Sequence, residues 1–274
     1  MELFKSEFER IWKRKLTWIC FILIPLAIAG ASKYYLNNNY KHIIQSPEFV
    51  SFGNYPFMMF QEVLITLFNI LTILFVCTSI TEEYRNGEIR LVMIRGYSFK
   101  EIFFSKIASI VTTLGIFFIT FFIMSTVVGY FAAPKLDKVM LFYHKNPVGI
   151  SEALIYSAKY YAVGFVTTIA ILSMFTFFAV KCKTVTGVAG VSISTIIAGG
   201  IFSSTIIYFT NLIGKELTIR LWLLTIVKIQ HEGICLLLSE DFIYSSWIIM
   251  VLILHIVIFG VLSCNTFCRE DHFI

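Results

Sequence analysis

The residues of this chain that could do chemistry are few, and their spacing limits what they can do. His231, Glu232 and Cys235 run His-Glu-x-x-Cys. That is one ligand short of the zinc motif in which two histidines one helical turn apart hold the metal and the glutamate acts as base. Cys264 and Cys268 share a face at i, i+4 and read as small apolar residues of a span. His144 reads as a solvated loop residue. His255 stands alone in an apolar run, where a hydrogen bond to a neighbouring helix competes with a proton-relay role. Glu62, Thr66 and Asn69 fall at i, i+4 and i+7, just after Gln61. A carboxylate in such a run must turn toward a partner helix, a wet cavity or the headgroups, so these three are candidate path-lining residues. No phosphate loop of the Gly-x4-Gly-Lys-Ser/Thr type occurs, and no Gly-x-Ser-x-Gly nucleophile elbow. The chain reads as a non-enzyme that binds no metal and no cofactor of its own.

One polar stretch dominates the rest. Residues 81–106, TEEYRNGEIRLVMIRGYSFKEIFFSK, separate two long apolar segments. Glu82 and Glu83 open the stretch, and Arg85, Arg90, Arg95, Lys100 and Lys106 spread along it. Leu91, Ile94 and, across Gly96, Phe99 recur at three-to-five-residue spacing, which predicts an apolar stripe beside a basic face. Such a helix lies on the rim of a membrane; the plainer alternative is a loop whose charges only set orientation. In the helical reading Glu82 and Glu83 sit at the helix start, favoured by its dipole. Gly87 allows a bend or close approach. Ile89, Leu91 and Ile94 supply apolar contact, and Arg90 and Arg95 pair with acids on a partner.

Glu83, Gly87, Ile89 and Leu91, followed by Gly96, Ser98, Ile102 and Lys106, resemble the motif between the second and third spans of ABC type-2 exporter permeases. Glu88 stands where that family favours Thr or Ser, and Gly96 where it favours Pro. The wording looks closest to permeases of bacteriocin and lantibiotic export or self-immunity. The resemblance implies a coupling helix over residues 81–100, docking on a separate ATPase through Glu82, Glu83, Gly87, Ile89, Arg90, Leu91, Ile94, Arg95 and Gly96. It further implies two ATPase copies carrying ATP and magnesium, and a second permease, identical or related.

The elements that must position these residues follow from composition. The chain has 274 residues, 58% hydrophobic and 14% charged, with mean hydropathy +0.81. Soluble domains carry about 25% charged residues, so a multi-pass membrane protein is expected, with lipid as its solvent. The net charge of +5 needs no nucleic-acid partner, because Lys and Arg gather at residues 5–15, 85–106, 181–183 and 269. That bias predicts both termini in the cytoplasm of a cell-membrane protein. Spans are expected at residues 16–32 (with Pro25 as a kink), 57–80, 107–131, 160–180, 184–210 and 244–267. Residues 1–15 alternate apolar and charged positions as an interfacial helix does. They put Leu3, Phe4, Phe8, Ile11 and Trp12 on one face, and Lys5, Glu9, Lys13 and Arg14 on the other.

Gly187, Gly190, Ser194 and Ala198 form a small-residue ridge on the fifth span, where helices approach closely in lipid. That ridge is a candidate contact within the chain or with a second protomer. Residues 215–241 hold two apolar pieces broken by Lys228, Gln230, His231 and Glu232. Each is too short to span, so a re-entrant outer helix pair is expected; the family also carries such helices before its last span. The expected architecture is one all-α membrane domain over residues 1–274. It has six spans, an N-terminal interfacial helix, a coupling helix between spans 2 and 3, and the re-entrant pair before span 6. The expected function is the permease subunit of an ATP-driven exporter of amphipathic or lipidic cargo, such as a membrane-active peptide. The alternatives are a secondary transporter coupled through Glu62 and His255, or a peptide-sensing membrane protein without an ATPase.

Overall fold

The computed structural model describes residues 2–87, 92–94, 96–182 and 184–269. A short helix α1 (Glu2–Lys13) leads into α2 (Lys15–Asn38). Then come α3 (Tyr55–Arg85), α4 (Phe99–Ala132), α5 (Ile150–Lys181) and α6 (Val185–Ile213). The short helices α7 (Lys215–Trp222) and α8 (residues 226–237) precede α9 (Ser245–Arg269). A two-stranded antiparallel hairpin, β1 (Lys138–Val139) and β2 (Val148–Gly149), lies between α4 and α5. Helices α2 to α6 and α9 are the six described helices long and apolar enough to cross a membrane.

These helices outrun the apolar runs that predicted them. α5 starts ten residues before residue 160, and α4 starts at Phe99, two turns before residue 107. Hydropathy marks the hydrocarbon thickness, but a helix continues into water at little cost when its residues are helix formers such as Lys100 and Glu101. The start of α4 is fixed by a capping box. The Glu101 N–H donates to the Ser98 hydroxyl at 3.3 Å, and the Ser98 N–H donates to the Glu101 carboxylate at 2.8 Å. α2 runs through Pro25 without interruption.

Residues 81–100 do not form one described helix. Glu82–Arg85 is the last turn of α3, and Asn86 and Gly87 turn the chain away. Gly87 has φ +72° and Gly96 φ +86°, a left-handed conformation that side chains with a Cβ resist. The two glycines are therefore turn formers that bracket the connection. Glu82 and Glu83 sit at a helix C-terminus, where the dipole disfavours anions, and not at a helix start. Their stability has to come from cations elsewhere.

α3 is the axis of the bundle: 67% of its most apolar window is buried, against 11% for α6. Its rings Phe57, Phe60, Phe68 and Phe75 are fully enclosed. Glycines on neighbouring helices make room for α3. A Cβ added at Gly129 would stand 2.6 Å from the Tyr55 ring, and one at Gly164 2.7 Å from Phe60. Phe60 stacks on Tyr161 with ring centroids 4.0 Å apart. α9 lies along α5, joined by side-chain hydrogen bonds to backbone: Ser173 Oγ to the His255 carbonyl and Ser263 Oγ to the Ser173 carbonyl, each 3.3 Å.

Candidate functional site

α1 is amphipathic, yet one of its faces carries Glu7, Arg10 and, just beyond its end, Arg14, spaced i, i+3 and i+7. This face turns inward. Glu7 is buried, as are Glu83 from the last turn of α3 and Lys106 from the second turn of α4. The Lys106 side chain is 1% exposed and that of Glu83 2%. Glu83 is the hub. Its Oε2 accepts from Lys106 Nζ and pairs with Arg10, while its Oε1 accepts from Arg14 Nη2 at 2.8 Å. Glu7 Oε2 accepts from Lys106 Nζ at 3.1 Å and also from Arg10. Arg14 Nη1 reaches Glu82 Oε2 at 3.2 Å.

Among the described residues, three cations thus meet three anions. A lone charge buried here would cost several kcal/mol, and mutual pairing offsets that cost. Each of the three carboxylates accepts from at least one of these cations, so the arrangement suits an electrostatic latch. It clasps α1, the end of α3 and the start of α4 into one unit. Apolar contacts back it: Trp12 of α1 lies 6.0 Å from Phe21 of α2 and 6.4 Å from Phe117 of α4, centroid to centroid. The sequence pattern placed Glu83 in a docking contact; its carboxylate instead faces inward, so any role in docking is exerted through the unit it holds. The residues missed were Glu7, Arg10, Arg14 as a pairing group, and Lys106. Their signal was opposite charges at helical spacing on a short helix, together with a lysine just inside an apolar run.

The remaining expected positions are scattered over the bundle. Ile89, Arg90, Leu91 and Arg95, like Glu88, lie outside the described residues. Ile94 is 81% exposed. The face shared by Glu62, Thr66 and Asn69 is broken, because residues Leu64–Phe68 form a π turn. Such a turn holds an extra residue and rotates the remainder of the helix about its axis. Glu62 and Thr66 are exposed, whereas Asn69 is fully buried. Glu62 accepts from the Tyr35 hydroxyl at 2.6 Å.

Asn69 and Gln230 exchange two amide hydrogen bonds, 2.9 and 3.2 Å, both side chains fully buried. Gln61 donates to the His231 carbonyl at 3.0 Å. Polar residues of α3 therefore hold α8, itself centred on a π turn at Ile229–Gly233. Lys228 bonds Glu232 at 2.6 Å and lies 4.1 Å above the Trp222 ring, joining α8 to α7.

Cys235 is buried, and among the described residues no group of three His, Cys, Asp or Glu is placed to hold a metal. His255 Nδ1 lies 2.8 Å from its own helix's Val251 carbonyl. The small-residue ridge of α6 meets little in its own chain. Gly190, Ser194 and Ala198 are exposed, a Cβ at Gly190 would find nothing within 4 Å, and Gly187 faces its own capping residue Thr184.

No curated protein matches the chain. A family model described as a protein of unknown function (DUF2705) matches residues 18–273, and so takes in the Glu82, Glu83 and Lys106 positions of the cluster and the whole of α2 to α9 but for the first turn of α2. The chain belongs to the DUF2705 family.

Proposed function

We propose that this chain is the membrane-spanning permease subunit of an ATP-driven exporter resembling the ABC type-2 kind. It would pair with an identical or related permease in the cell membrane, with both termini cytoplasmic. Two copies of a separate ATPase, holding ATP and magnesium, would drive it. The observation that carries the reading is the buried charge cluster. The connection between α3 and α4 starts one turn after Glu82 and Glu83 and ends two turns before Lys106, with Val92, Met93 and Tyr97 packed against the core. A soluble partner that grips this connection pushes on a braced three-helix unit, and a braced unit transmits displacement along α3, the central helix, where a loose loop would absorb it. The apolar, aromatic spans suit an amphipathic or lipidic cargo such as a membrane-active peptide, and export or self-immunity is the corresponding role.

The test is co-purification of the chain with a phosphate-loop ATPase, followed by ATP hydrolysis and transport measured in the same vesicles. Gly87→Val forces a β-branched residue into a left-handed turn, and Ile94→Glu charges an exposed apolar side chain. Both should reduce ATPase recruitment about tenfold while α1 stays docked. Full recruitment and full transport by the double variant would refute the reading.

A further inference from the structure

α4, α5 and α9 leave an apolar groove of about 420 Å³ between them. Its walls include Phe104 and Ile107 of α4, Leu172 of α5, and Val257 and Val261 of α9. Gly260 also lines it, and a Cβ there would meet no atom within 4 Å. Phe104, Val257 and Val261 are each more than half exposed, so the groove opens sideways, toward lipid in a membrane-spanning chain.

The groove changes character at the end of the bundle that carries the charge cluster. Lys100 precedes Phe104 by one helical turn and Ile107 by two, so it continues the same face of α4. Arg269 follows Asn265, another lining residue, by one turn of α9. Both basic side chains are exposed, and Lys100 lies near enough to Cys268 to act electrostatically on its thiol. The ends of α4 and α9 meet there, with the Phe103 and Phe267 rings 5.4 Å apart. Glu101, next to Lys100, is committed to the Ser98 N–H and hydroxyl, both at 2.8 Å. Glu270 and Asp271 lie outside the described residues.

We propose that this groove holds an acyl chain of an anionic phospholipid, with the lipid phosphate between Lys100 and Arg269. An apolar slot that ends in two cations matches a hydrocarbon chain that ends in an anion. A zwitterionic lipid fills the same slot but brings an ammonium to the same level, which cancels the attraction. Each basic residue near an anionic membrane surface favours the anionic lipid about fivefold, so two give a preference of roughly 25-fold. The inference rests on the groove and its basic end, and holds whether or not an ATPase docks.

The experiment uses the full chain in vesicles doped with a phosphatidylglycerol that carries a photoreactive diazirine on one acyl chain, and the phosphatidylcholine analogue in parallel. Peptide mapping reads labelling of residues 256–265. The glycerol lipid should label this segment well above the choline lipid. Lys100→Ala with Arg269→Ala should bring the two lipids near parity, and Gly260→Leu, which fills the slot, should depress labelling by both. Equal labelling of the unmodified chain, or a preference that survives in the double variant, would overturn the proposal.

Discussion

Replacing Lys106 by Met isolates the latch from the apolar packing around it, because the two side chains are similar in length and volume. The change leaves two cations against three carboxylates in a site where Lys106 is 1% and Glu83 2% exposed. Breaking a buried pair by removing one partner costs about 3–5 kcal/mol. Here Glu83 keeps Arg14 and Glu7 keeps Arg10, and these guanidiniums are 25% and 29% exposed, so the low end, about 3 kcal/mol, applies. For a chain of this size that corresponds to a drop of roughly 6–12 °C in melting temperature. The assay is thermal unfolding in detergent followed by tryptophan emission. The Trp12→Phe background identifies the part of the signal that comes from α1. Release of α1 from Phe21 and Phe117 should shift that part to the red before global unfolding. Adding Glu83→Gln restores charge balance and should recover more than half of the loss. A single-variant loss under about 1 kcal/mol, the range of exposed ion pairs, would refute the latch. So would a double variant as unstable as the sum of the two changes.

Asn69→Leu leaves Gln230 buried without its reciprocal amide and should loosen α8 by about 1–2 kcal/mol. The readout is the rate at which a maleimide reaches Cys235, now 3% exposed; an unchanged rate would show that packing alone holds the segment. Gly190→Leu should leave the unfolding free energy of the isolated chain within about 0.5 kcal/mol of wild type, as surface changes do. A loss confined to self-association, read by cross-linking in membranes, would locate the ridge at a contact between copies, and a clear fall in the single chain's stability would contradict its exposure.

The six long helices were legible because each carries an apolar run of membrane length. Their ends were not, since Phe99–Lys106 and Ile150–Lys159 look like polar connections by hydropathy while their backbones are helical. The π turn at Leu64–Phe68 left no readable mark in LITLF, and it alone separates Asn69 from Glu62 and Thr66. Glu7 and Arg10 were hidden for a different reason. Charges on a short amphipathic helix ordinarily face water, and these are drawn inward only because Glu83 and Lys106 arrive from elsewhere in the chain. Glu83 stood out in the sequence; the direction of its side chain did not, because a helix beginning at Glu82 and one ending just after it share the same letters.

The latch also imposes an order on biosynthesis. Lys106 is 99 residues beyond Glu7 and 23 beyond Glu83. Until α4 follows the first two long helices out of the ribosome, Glu7 and Glu83 lack their lysine partner. Once α4 is made, Lys106 completes the cluster in which Arg10 and Arg14 are tied to Glu7, Glu82 and Glu83. The cluster therefore closes only after the third long helix is made, and it ties the first turns of the chain to a position 99 residues later.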